Sequence, residues 1–150
     1  MGKVLHIGMR KSGSTWLQES IRNAEPHLPV HLHMEDLKKF VRRNKWQNLS
    51  DAQFKTLGDI FSAAPENSLI TTETLVFMDL QKLARTAFET VPDAQIVLIV
   101  RNPAAWLKSQ YTHVIMNGRF LDQKHAAEQM LTARFVRMFD IQAYLDAFTT

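Results

Sequence analysis

The sequence predicts an α/β fold in which a parallel β-sheet is flanked by helices, a three-layer sandwich. Three observations predict it. Short apolar runs at residues 3–8, 68–72 and 95–100 alternate with longer segments of helical periodicity, the order expected of β–α units. The run Gln-Ile-Val-Leu-Ile-Val at 95–100 is apolar on both faces, which suits a central parallel strand covered from both sides. The first run ends in glycine and passes through a short polar loop into a helix.

The elements follow in order. Residues 3–8 read as a buried strand, with His6 as a satisfied core residue. A loop leads to a helix starting near Thr15, with Trp16, Leu17 and Ile21 on one side. Pro26 and Pro29 bound a connector, and residues 30–33 form a short strand. Residues 36–46 read as a basic helix. Ser50 and Gln53 have capping-box spacing ahead of a helix striped with Phe54, Leu57, Ile60 and Phe61. Pro65-Glu66-Asn67 makes a turn into the strand at 68–72.

Asp79 opens a helix with Leu80, Leu83, Ala84, Ala87, Phe88 and Val91 at helical spacing, and Pro92-Asp93 turns the chain into the strand at 95–100. Asn102 is a suitable N-cap and Pro103 a suitable first helical residue. That helix runs to about Asn117, with Gly118 as its C-cap. The remainder, from Asp122, is helical, and Phe135, Met138 and Phe139 read as core.

A chain of 150 residues suits one domain with a real core, and 45% hydrophobic with 22% charged residues is an ordinary globular balance. The net charge of +3, without a long basic stripe, argues against a nucleic-acid partner. With no cysteine, disulfide scaffolds and cysteine-bearing metal sites are excluded, and a reducing compartment fits. No window approaches the roughly 20 apolar residues of a membrane span. The N-terminus lacks the apolar stretch of a signal peptide. The expectation is a cytoplasmic protein.

Ligands of parallel sheets bind beyond the carboxyl ends of the strands. One rim therefore gathers residues 9–15, 72–75 and 101–103. The first of these, Gly8-Met9-Arg10-Lys11-Ser12-Gly13-Ser14-Thr15, has the two glycines of a P-loop, with Ser14 in the lysine slot and Lys11 inside the loop. Anion capture survives that change. Backbone N–H groups and the helix dipole still favour negative charge, Gly13 allows close approach, and Ser14 and Thr15 add hydroxyl donors. A short turn with a solvated lysine is the alternative.

The second rim group is Arg101, whose forked guanidinium can hold a phosphate, with Ser109 eight residues on in the next helix. Two separate anion sites suit a ligand that carries two separated anionic groups.

Lys11-Ser12-Gly13-Ser14-Thr15-Trp16-Leu17 closely resembles the 5′-phosphosulfate loop of sulfotransferases. The order of strand, Arg101, capped helix and Ser109 resembles their 3′-phosphate site. The resemblance implies a P-loop NTPase-like fold and a sulfuryl donor, 3′-phosphoadenosine 5′-phosphosulfate, with no metal. It implies that Lys11 stabilises the leaving group, that main-chain groups of residues 12–15 hold the 5′-phosphate, with Arg10 among the nucleotide-binding residues, and that Arg101 and Ser109 hold the 3′-phosphate. Trp16 would contact adenine, unless it is a core aromatic.

In glycan-modifying members a glutamate acts as base, and Glu73 stands in the corresponding region, ahead of His33 and His113. A rim carboxylate or helix-capping group is the alternative for Glu73. The acceptor would be a hydroxyl or amine on a glycan or small molecule. The basic run Lys38, Lys39, Arg42, Arg43 and Lys45 reads as a solvated helix face, with an anionic acceptor as the alternative.

The chain is short for the family. It stops in a helix that should lead into further strands, before the later basic segment of that nucleotide site. Residues 1–150 are therefore expected to be a nucleotide-binding domain incomplete at its C-terminus. Two other readings stay open: a P-loop nucleoside or small-molecule kinase, weakened by Ser14 and by Arg101 in place of an acid, and a non-catalytic nucleotide-binding remnant. The oligomeric state is not legible.

Overall fold

The computed structural model describes residues 2–8, 14–24, 31–44, 48–71, 74–116 and 139–149. Its element order is β1 (Val4–Gly8), α1 (Ser14–Ala24), β2 (His31–His33), α2 (Glu35–Arg43), α3 (Asp51–Ala63), β3 (Ser68–Thr71), a 3₁₀ turn (Leu75–Phe77), α4 (Leu80–Thr90), β4 (Gln95–Ile99), α5 (Pro103–Met116) and α6 (Ile141–Phe148). The four strands form one sheet in the order β2-β3-β1-β4, and every pairing is parallel.

Parallel neighbours need crossover connections, and these are right-handed. The step from β1 to β2 runs one way along the sheet, and the steps from β2 to β3 and from β3 to β4 run the other way. Handedness therefore sets α1 on one face and α2, α3 and α4 on the opposite face. The second group packs around Leu5, Ile7, Ile70, Leu57, Phe61 and Leu83, all at most 1% exposed. Burying a side chain of that size contributes about 1.5–3 kcal/mol.

Local chemistry explains the boundaries. Ser50 accepts from the Gln53 backbone N–H while the Gln53 carboxamide accepts from Ser50 N–H, the reciprocal cap read from the sequence. The side chains of Asp79, Asn102 and Asp140 cap α4, α5 and α6 from one side only, each accepting from a backbone N–H three residues on. Asn67 takes φ 61°, a left-handed turn position that asparagine tolerates, just before β3. A Cβ on Gly58 would fall 2.6 Å from Thr90 Cγ2, so the glycine lets α3 and α4 approach closely. Among the described residues no helix is long and apolar enough to cross a membrane.

Three expectations change. The run at 95–100 is not central: β4 is an edge of the sheet among the described residues, and Val97 is 39% exposed. A topological reason fits, because α1 leads from β1 toward β2, away from the β4 end of its face. On one face Ile96 and Leu98 meet the core, while on the other Val97 is exposed and Ile99 half-buried. Trp16 does not share a packed side with Leu17 and Ile21, since it is 72% exposed while they are half-buried. Phe88, placed on the inner stripe of α4, is 40% exposed and meets only the tilted ring of Phe148 among the described aromatics. The proposed C-cap at Gly118, Trp46 at the end of the basic helix, and Phe135 and Met138 lie outside the described residues. Phe139 does pack on the core, edge-on to Trp106 at 5.3 Å.

Candidate functional site

Because the four strands are parallel, their carboxyl ends open on one rim. Leading off that rim are the chain segments after Gly8, His33, Thr71 and Ile99. β1 lies between β3 and β4, with Gly8 paired to Ile99 and His6 paired to Thr71. Neighbouring strands stand about 4.8 Å apart. The end of β1 is thus flanked directly by the end of β3 on one side and by the end of β4 on the other, with Arg101 two residues beyond Ile99.

Two helices start at this rim. The backbone of α1 is helical from Ser14, so its positive dipole end lies there, five residues after the end of β1. α5 starts at Pro103 with the Asn102 carboxamide accepting from Ala105 N–H at 3.2 Å. Arg101 sits between β4 and that cap and is half-buried. Ser109, also half-buried, falls on the stripe of Asn102 and Ala105 by its spacing of three, four and seven residues. It stands roughly 9 Å along the axis from Pro103 at 1.5 Å per residue.

The anchor of α5 is Trp106, fully buried against Phe139. The sequence reading missed it. Its signal was weak, a single apolar side chain four positions after the cap. By fixing the rotation of α5, Trp106 sets the stripe on which Ser109 stands.

The residues expected to bind the nucleotide divide by location. Trp16 lies on the first turn of α1 with its indole largely in solvent, so it is not a core aromatic. Arg101 and Ser109 lie on the rim and on the helix leaving it. Ser14 and Thr15 open α1 with their backbones, while their side chains, together with Arg10, Lys11, Ser12, Gly13 and Glu73, lie outside the described residues. Of the two other base candidates, His33 ends β2, two strands away from β1. His113 lies one turn beyond Ser109 on α5 and is half-buried. The basic face of α2 is solvated as expected: Lys38 pairs with Glu35 and Lys39 with Asp36 on their own helix. His6 is buried in the core and meets the Thr71 hydroxyl at 2.8 Å. That partner was not legible from the sequence, because it depends on strand register. Among the described residues, no group of three or more His, Asp or Glu side chains could hold a metal ion.

No curated protein and no solved structure matches this chain. A model of the sulfotransferase domain matches residues 3–148, from the start of β1 to the end of α6. With nearly its whole length covered by that match, the chain belongs to the sulfotransferase domain family.

Proposed function

We propose that the protein transfers a sulfuryl group from 3′-phosphoadenosine 5′-phosphosulfate to a hydroxyl or amine of a glycan or small-molecule acceptor. The observation that carries this reading is the direct pairing of β1 with β4. It supports one nucleotide spanning two anion sites, the loop and first turn of α1 for its 5′ end and Arg101 with Ser109 for its 3′ end. The donor set suits this ligand: a helix N-terminus, a lysine-bearing loop and a guanidinium are complementary to clustered phosphoryl and sulfuryl oxygens. Trp16, exposed at the start of α1, offers an aromatic face to the adenine.

Each proposed residue has one task. Glu73 accepts the proton of the acceptor as its oxygen or nitrogen bonds to sulfur. Lys11 stabilises the negative charge that collects on the bridging oxygen as the sulfur–oxygen bond breaks. Arg101 and Ser109 hold the far phosphate still, so that binding energy is used for alignment. The cysteine-free composition fits a reducing compartment, and the cytoplasm is the proposed setting.

A comparative titration tests the reading. The protein should bind adenosine 3′,5′-bisphosphate in preference to magnesium ATP, and it should pass label from the sulfuryl donor to an acceptor library. Preference for magnesium ATP would replace this reading with a P-loop kinase. Bisphosphate binding without transfer would make the chain a nucleotide-binding remnant.

A further inference from the structure

At the seam between β1 and β3, just below the rim, lies a histidine. His6 is 1% exposed, and Thr71, its register partner, is fully buried and ends β3. His6 Nδ1 and Thr71 Oγ1 are 2.8 Å apart. The ring also reaches Gly8, because residues two apart on a strand share a face. A Cβ built on Gly8 would fall 2.5 Å from His6 Cε1, closer than such atoms approach. The backbone of Gly8 is not in the left-handed region, so its conformation would accept a side chain. At Gly8 the imidazole, and not a left-handed backbone, stands against a side chain.

We propose that His6 is a positioning residue for the nucleotide site, its ring filling the space above Gly8 and tying the end of β1 to the end of β3. The consequence for catalysis rests on the sulfuryl-transfer reading. The next residues along these two strands lead to Lys11 and to Glu73, which must act on opposite sides of one reacting sulfur. Such groups need placement to a fraction of an ångström, which depends on supporting side chains locked by packing and hydrogen bonds.

A mutant cycle on the full chain tests the inference. Gly8→Ala should overpack the seam, lowering Tm by roughly 3–9 °C and weakening bisphosphate binding. In a His6→Ala background the same change should cost under about 1 °C, because the ring it collides with is gone. Additive effects of the two substitutions would overturn the proposal. Thr71→Val keeps the shape and removes the hydroxyl. It should lower kcat about tenfold while bisphosphate Kd stays within about twofold, the pattern of a lost alignment and not of a lost binding contact. His6→Asn, which keeps a polar atom near the Nδ1 position, should recover part of the turnover lost in His6→Ala. Wild-type kcat in Thr71→Val would also overturn the proposal. A wild-type protein that binds no bisphosphate would instead overturn the functional reading, and the stability cycle would still decide the contact between His6 and Gly8.

Discussion

Gly8 and Ile99 are Cα partners in the parallel ladder between β1 and β4. The chain leaves the sheet at neighbouring points, once toward α1 and once toward α5, and Arg101 follows Ile99 by two residues. The strand ends that lead to α1 and to α5, and Arg101 just past the second of them, therefore share a short stretch of rim. The predictions about ligand binding follow from that sharing.

Arg101→Ala removes a forked cation at the strand end. A hydrogen bond to a charged group contributes about 1.5–3 kcal/mol, so Kd for adenosine 3′,5′-bisphosphate should rise roughly 10- to 100-fold. Arg101→Lys keeps the charge without the fork and should fall between the two. Calorimetric titration measures both. An Arg101→Ala protein that binds like wild type would remove the 3′ site from this position.

Lys11 and Glu73 should behave differently from Arg101. Lys11→Ala should lower kcat about 10²–10³-fold, the scale of losing one preorganised transition-state contact, with a smaller change in bisphosphate affinity. Glu73→Gln should lower kcat about 10²–10⁴-fold, as loss of a general base does, and should abolish the acidic limb of the pH–rate profile. Single-turnover kinetics on the two variants checks the pair.

Trp16 separates binding from folding with unusual clarity. At 72% exposure its indole contributes little to the core, so Trp16→Ala should leave Tm nearly unchanged. Stacking of a base on an aromatic ring is worth about 1–3 kcal/mol, so bisphosphate affinity should fall roughly five- to 150-fold. Paired thermal melts and titrations provide the check.

Tyr144 gives a prediction for stability. It is 3% exposed, and its hydroxyl donates to Val76 O at 3.1 Å, joining α6 to the 3₁₀ turn beside β3. Burial, followed by the nearby Asp140 carboxylate, pushes the phenol well above its ordinary value of 10.0. The unfolded chain loses this proton at about pH 10, while the folded chain keeps it. Above that pH the unfolded state binds fewer protons, so stability falls with rising pH by up to about 1.4 kcal/mol per unit from this group. Tyr144→Phe should remove that share of the slope. At neutral pH it should cost about 1 kcal/mol through the lost hydrogen bond. Urea unfolding at pH 7 and above pH 10 measures both effects.

Local signals carried most of the fold. The Ser50 and Gln53 spacing marks the start of α3, Asn102-Pro103 marks the start of α5, and both caps form as read. Each depends on residues within a turn of one another. The position of β4 was less legible. An edge strand and a central strand both favour β-branched residues, and the edge position of β4 among the described residues, with Val97 exposed, depends on the strand order. Trp16 posed a similar problem: a tryptophan beside Leu17 looks like part of an apolar stripe, but on α1 it turns to solvent. In the candidate site, the segment order was readable because βα units place their loops on one rim. The tie between His6 and Thr71 was not, because it joins residues 65 positions apart and depends on register.

Among the described residues the helices bury their apolar faces unequally, and this bears on the dynamics of the fold. α3 and α4 close over Leu57, Phe61, Leu83 and Ala87, each at most 1% exposed, whereas the described apolar residues that α1 turns inward, Leu17, Ile21 and Ala24, are half-buried. Regions with little apolar contact open locally at lower free energy than the core, so amide protons of α1 should exchange with solvent well before those of α3. A ligand that binds only the closed form slows such opening by mass action. An anion held at the first turn of α1 would therefore act as the missing clasp on that side, lengthening protection in α1 and leaving α3 as it was.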